Sequence, residues 1–164
     1  MTKKKTITEK KDKTAVIILA AGLGTRMKSA TPKVLHPLAG RPMVAHLLDT
    51  VAELKPEQVV CVIGDDMDAV RDTVMPFPCV IQKERLGTGH AVLAAKDALS
   101  GFDGDILILY GDSPLISIET LSALKDARAD GHAAAVVGFE TDEPGAYGRL
   151  ITDANDSLEA IVEA

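Results

Sequence analysis

The chain has no tryptophan, and aromatic residues of any kind make up only 3% of its 164 residues, so aliphatic side chains must fill its core. It has two cysteines, Cys61 and Cys79, without C-x-x-C spacing or clustered histidines that could complete a metal site. Both read as small buried hydrophobes suited to a reducing cytosol, and the expected location is cytoplasmic. No apolar run approaches the roughly 20 residues of a membrane-spanning helix. Internal repeats are absent, and low complexity is confined to a lysine-rich start.

That start, residues 1–13, holds six of the eighteen basic residues and almost nothing apolar, which predicts a disordered tail ahead of one domain over 14–164. No hydrophobic stretch follows that would make it a signal peptide. The remaining body sets twelve basic residues against twenty-two acidic ones, a balance of −10. Sequence-independent nucleic-acid binding needs a broad basic surface, so neither nucleic acid nor membrane is an expected partner. Phosphate would have to be held by a few aimed cations. The apolar share, 46%, suits a folded globular domain.

What stands out is Val16 to Lys33, V-I-I-L-A-A-G-L-G-T-R-M-K-S-A-T-P-K. A strand-type run over Ala15–Ala20 empties into a loop with Gly22 and Gly24, then Thr25, Arg26, Lys28 and Lys33. Glycine backbone can approach a polyphosphate closely and ring it with N–H groups. The following cations can neutralise the remaining charge. An ordinary glycine turn with solvated basic residues is the plainer alternative. A Walker A loop is excluded, since counting from Gly22 its second glycine falls on Met27, ahead of Lys28. A dinucleotide fingerprint is excluded because Met27 stands where its third glycine is required.

Leu19-Ala20-Ala21-Gly22-Leu23-Gly24-Thr25-Arg26-Met27, followed by Pro32-Lys33, resembles the signature of sugar-1-phosphate nucleotidyltransferases. The continuation from Val34 to Met43, V-L-H-P-L-A-G-R-P-M, is most similar to bacterial UDP-N-acetylglucosamine pyrophosphorylases. The resemblance implies that Leu19, Ala20, Ala21, Gly22, Gly24 and Thr25 bind nucleotide.

Further along, apolar residues at Met43, Val44, Leu47, Leu48, Val51 and Leu54 mark a helix over Pro42–Lys55, with Pro42 suited to its first turn. His46 within it reads as a packed or surface residue. Gln58–Ile63 is strand-like, and Gly64-Asp65-Asp66 turns it into a short helix through Met75. A third strand, Pro78–Gln82, precedes Leu86-Gly87-Thr88-Gly89-His90 and a helix over Ala91–Leu99. A carboxamide at Gln82 offers the donor and acceptor that a nucleobase edge demands. Otherwise Gln82 is only a polar strand end. The resemblance assigns uracil contact to Gln82, Gly87 and Thr88.

Gly104–Tyr110 predicts a fourth strand that delivers Asp112 to its carboxyl end, where open α/β sheets gather ligands. Mg²⁺ on a nucleotide commonly takes one or two protein carboxylates, which makes Asp112 the leading ligand. An Asx-turn cap is the alternative. The G-D-x-P-L motif supports Mg²⁺, and Tyr110 and Gly111 beside it are assigned to the sugar by resemblance. Ser117–Ala129 reads as a helix capped by Ser117, with Glu119 in its first turn. A fifth strand over Ala133–Glu140 follows. Gly148, in a Y-G-R turn, and Glu163, ending a strand over 158–163, resemble sugar-binding residues, with one extra residue expected near Ala154-Asn155-Asp156.

The alternation of aliphatic strands and helices predicts an α/β, Rossmann-like three-layer fold: a mainly parallel sheet with helices on both faces, incomplete after its last strand. The expected reaction is uridylyl transfer from UTP to N-acetylglucosamine-1-phosphate. Arg26 would neutralise the leaving β- and γ-phosphates, and Lys33 would bridge the α-phosphate and the sugar phosphate. The resemblance covers only the first part of the longer family proteins, whose bifunctional members trimerise through a further acetyltransferase domain. Another base or sugar, a nucleotide-binding module without turnover, and a poorly folding fragment are the alternatives.

Overall fold

The computed structural model describes residues 13–162. The tail expected over 1–13 therefore lies outside the described residues except for Lys13, whose carbonyl accepts from the Asp105 N–H at 2.9 Å. The chain divides into two compact units, Met1–Ala123 and Leu124–Ala164.

The first unit is built on a parallel sheet. Its strands are β1 (Thr14–Leu19), β4 (Gln58–Ile63), β5 (Cys79–Ile81) and β6 (Asp105–Tyr110), in the order β5-β4-β1-β6. A two-residue ribbon, β2 (Pro37–Leu38) against β3 (Arg41–Pro42), precedes helix α1 (Met43–Leu54). Helices α2 (Asp68–Val74) and α3 (Thr88–Ala94) complete the crossovers, and α4 (Ile118–Ala129) follows β6. The sheet begins at β1, winds outward through β4 and β5, then returns to the other side of β1 with β6. The reversal falls between β1 and β6, and ligands of open α/β sheets collect at such a point.

Aliphatic runs fill both faces, because a parallel strand flanked by helices has no solvent side. On one face Val16, Ile18, Cys61 and Ile63 meet Val44, Leu47 and Val51 of α1, Val70 and Val74 of α2, and Leu121 of α4. On the other, Ala15, Ile17, Val60 and Val62 meet Ala91, Ala95 and Leu99. That second face is uncovered over β6, where Ile106, Ile108 and Tyr110 are 49%, 41% and 52% exposed. Burial pushes the Cys61 thiol up to about 12, so it behaves as a small core hydrophobe. Helix α1 stops at Lys55, which is left-handed (φ 51), ahead of Pro56. His46 joins α1 to the ribbon, its Nε2 lying 2.8 Å from the Leu38 carbonyl, a packing role as expected.

Two boundaries differ from expectation. The helix expected over 91–99 begins at Thr88 and ends at Ala94, and a separate 3₁₀ turn covers Asp97–Leu99. Gly87, at φ 102, turns the chain sharply, and its carbonyl accepts the Ala91 N–H at 3.1 Å to start the helix early. In the second unit, no strand forms over 133–140. Val136, Val137 and Phe139 are exposed there, and strand-type residues make a strand only where a neighbouring backbone pairs with them. The strands of this unit are the hairpin β7 (Arg149–Thr152) and β8 (Leu158–Val162), the second where a strand over 158–163 is expected, with a register shift at Ile151/Thr152. Asp153 closes its turn by accepting the Asn155 and Ser157 N–H groups at 2.8 and 2.9 Å, and these bonds hold its carboxyl below the usual range.

Leu47 is fully buried between α1 and the sheet. Leu47→Ala should lower the free energy of unfolding by about 2–5 kcal/mol, read from urea titration. A change below measurement error would mean that this helix is not seated on the core.

Candidate functional site

Backbone geometry first brings the loops after β1 and β6 together. The Ala20 N–H extends the ladder to the Val62 carbonyl at 2.8 Å, and the Gly111 N–H extends the other side to the Leu19 carbonyl at 2.9 Å. A Cβ on Gly111 would stand 3.0 Å from Val34 Cγ1 and 3.1 Å from the Leu19 carbonyl oxygen, so glycine lets the end of β6 settle against β1. Gly24 has φ +62, and a Cβ there would meet the Cβ of Lys33 at 2.8 Å. The loop is thus drawn onto the 3₁₀ turn Lys33–Leu35, which the buried Val34 anchors.

The consequence is an ion pair across 79 residues of sequence. Lys33 Nζ donates to Asp112 Oδ2 at 2.5 Å, both side chains partly buried. The expected phosphate-binding cation and the expected metal ligand therefore neutralise each other at the switch point. They line a cleft of about 250 Å³. Leu19, Ala21 and Gly22 form its β1 wall, Tyr110 stands beside Asp112, and Gln82, Gly87 and Thr88 close the far end. Ala91 from α3 and Val34 add apolar lining.

Gln82 is 4% exposed, and its main chain stays in the sheet by donating to the Ile63 carbonyl at 2.8 Å. Its Nε2 lies 3.2 Å from the Gly87 carbonyl and 3.2 Å from His90 Nδ1.

Not every expected residue reaches the cleft. Ala20 is fully buried behind the loop, and Gly24 and Gly111 shape the approach without lining it; Thr25 opens the 3₁₀ turn Thr25–Met27. Arg26 is exposed in the 3₁₀ turn Thr25–Met27 and does not line the cleft. Gly148 belongs to the second unit, and Glu163 lies outside the described residues.

One contributor escaped the sequence reading. Arg85 lines the cleft, donating from Nε to the Ala21 carbonyl at 2.9 Å and from Nη2 to Asp66 Oδ1 at 2.8 Å. It ties together the segments that follow β1, β4 and β5. Gly64 admits the guanidinium, since a Cβ there would lie 2.2 Å from Nη2. The hydrogen bond from Arg85 holds the Asp66 carboxyl below the usual range. The only local signal was a cation three residues after Gln82.

Comparison with known proteins agrees with this architecture. The sequence profile described as the MobA-like NTP transferase domain matches residues 16–162. The bifunctional protein GlmU of Paramagnetospirillum magneticum is 61% identical over 153 residues, covering 92% of this chain and 34% of that protein. GlmU of Rhodospirillum rubrum is 60% identical over 153 residues, with the same two shares. The chain thus spans about a third of the length of the curated relatives it matches. Among solved structures, a Bacillus anthracis protein superposes with a TM-score of 0.77 at 20% identity, covering 92% of this chain and 64% of that one. HddC of Yersinia pseudotuberculosis gives 0.67 at 23%, covering 91% and 68%. At such identities the likeness is one of fold.

Removing the tie has a readable effect on charge. Arg85→Ala should raise the Asp66 carboxyl toward its ordinary value, and Gly64→Ala should do the same by displacing the guanidinium; an NMR pH titration of Asp66 measures both. Because the folded carboxyl is held low, its contribution to stability is present above the ordinary aspartate range and lost as pH falls through the lowered value. A titration unchanged in both variants would refute the tie.

Proposed function

We propose that this chain, which belongs to the MobA-like NTP transferase domain family, carries out uridylyl transfer from UTP to N-acetylglucosamine-1-phosphate, releasing pyrophosphate and UDP-N-acetylglucosamine. The single observation that supports it most is the Lys33–Asp112 pair, set at the switch point in the same cleft as Gln82. The similarity to GlmU over nearly the whole chain points to the same substrates.

The reaction joins two anions. An oxygen of the sugar-1-phosphate attacks the α-phosphorus of UTP, and its new P–O bond forms as the bond to the bridging β-phosphate oxygen breaks. Pyrophosphate departs with that electron pair. No protein nucleophile is required, so positioning and charge neutralisation supply the catalysis. Main-chain N–H groups around Gly22 face the phosphates, and Lys33 bridges the α-phosphate and the sugar phosphate. Arg26, on its exposed turn, closes over the β- and γ-phosphates.

Asp112 would hold Mg²⁺. The fit rests on this carboxylate already holding a cation, the Lys33 ammonium, at the cleft. Among the described residues no group of three or more His, Cys, Asp or Glu is placed to enclose a metal, so phosphate oxygens and water would complete its shell. The ion supplies charge neutralisation to the phosphates when bound. On substrate binding Lys33 would turn from Asp112 to phosphate, leaving the Asp112 carboxylate free to hold the ion. The sugar would lie beside Tyr110 and Gly111, with Gly148 and Glu163 assigned to it by similarity alone. Among the described residues no helix is long and apolar enough to cross a membrane.

A second reading, nucleotide binding without turnover, is favoured by one observation: Arg26 does not line the cleft. Pyrophosphate release with UTP, Mg²⁺ and N-acetylglucosamine-1-phosphate separates the two, since calorimetric UTP binding without release would establish the second. If the chain turns over, Lys33→Ala and Arg26→Ala should each lower kcat by about 10²–10³-fold, the scale of one lost transition-state donor. Normal turnover in both variants would sink the charge-neutralisation mechanism.

A further inference from the structure

We propose that His90, which does not line the cleft, determines which base the cleft accepts by fixing the orientation of the Gln82 carboxamide. The inference rests on the uridylyl-transfer reading above and concerns its base-recognition end.

A primary carboxamide has two faces that differ chemically but hardly in shape: an oxygen that only accepts and a nitrogen that only donates. A nearly buried glutamine can discriminate between bases only if something other than the ligand decides which atom points outward. Here both hydrogens of Gln82 Nε2 have inward acceptors, the Gly87 carbonyl and His90 Nδ1, each at 3.2 Å. The Gly87 carbonyl can only accept, which sets Gln82 Nε2 toward it; Nδ1 of His90 then accepts the second hydrogen when the imidazole proton sits on its own Nε2. With the nitrogen committed on two sides, Oε1 is left for the cleft. Turning the amide over would set its oxygen against the Gly87 carbonyl, and against the Nδ1 lone pair as well while the imidazole proton stays on Nε2.

An outward acceptor selects for an N–H on the ligand. Uracil presents N3–H there. Cytosine presents a bare N3 lone pair, so its approach sets one lone pair against another at a nearly buried carboxamide. Sites built around a buried polar group discriminate against ligands that leave that group unpaired. Of the two inward acceptors, Gly87 contributes main chain, which substitution cannot remove. His90 contributes the side chain. It projects from the first turn of α3, whose start is set by the Gly87 turn, so the two acceptors arrive together.

The test compares UTP with CTP in the unsubstituted chain and in two variants, by calorimetric affinity with Mg²⁺ and by initial rates of pyrophosphate release. His90→Phe removes the acceptor and frees the amide to turn; the preference for UTP should shrink about three- to tenfold, the value of one net hydrogen bond. His90→Asn can present an oxygen from the same position and should keep more of the preference than His90→Phe. If His90→Phe does not fold, as judged by its urea transition, His90→Leu takes its place. An unchanged UTP-to-CTP ratio in the apolar variant, even with both affinities lowered, would overturn the inference and assign His90 a packing role. So would an asparagine variant as indiscriminate as the apolar one. If the unsubstituted chain itself shows no preference for UTP, the uridine reading fails and this inference with it. That outcome is distinguishable because it needs no variant.

Discussion

Everything at the cleft depends on the pairing of β1 along both of its edges. Each residue from Ala15 to Leu19 is in register with β4 on one side and β6 on the other. Ala15, Val16, Ile17 and Ile18 are all at most 2% exposed, so the strand has no freedom to slip: a shift of one residue would exchange its two buried faces. The loop that leaves β1 is therefore launched from a fixed point. The Gly111 N–H to Leu19 carbonyl bond carries the same fixity into the loop after β6, and Lys33 and Asp112 meet as a result.

This rigidity matters because the proposed chemistry consists of placing charges. An ammonium and a carboxylate that sit 2.5 Å apart are already gathered at one point of the cleft, and ligands of the opposite sign would replace the contact between them. Their mutual contact also keeps either from standing alone in a partly desolvated cleft, which would be costly. The body's acidic balance fits this economy of cations. On the proposed reading specificity falls to the Gln82 end of the cleft, where hydrogen-bond direction counts for more than charge.

Much of this was legible in the sequence. Strands β1, β4 and β6 appear as aliphatic runs within a residue of their observed bounds; β1 and β4 are apolar beyond their first residue because both their faces are buried, whereas β6 is aliphatic although one face is exposed. Gly22, Gln82 and Asp112 were legible as cleft residues because each stands within a few residues of a strand end, Lys33 as a cation following the glycine loop, and Gly87 and Thr88 through the family resemblance. What was illegible depends on distant partners. Residues 133–140 have strand-type composition and no ladder, and composition cannot report whether a neighbour is present. Arg85 owes its position to Ala21, 64 residues away, and to Asp66; neither contact leaves a local pattern. The early start of α3 turned on the backbone of Gly87, which the G-T-G spelling permits without requiring.

The winding of the sheet also has a kinetic consequence. Thr14 pairs with Asp105, ninety-one positions later, and every ladder of the central sheet joins strands in parallel, so none can close through a tight turn. Loop-closure entropy must be met before these contacts repay it, which slows closure of the sheet relative to local helix formation. During that interval the aliphatic strands are exposed, and chaperone capture or self-association competes with completion of the sheet.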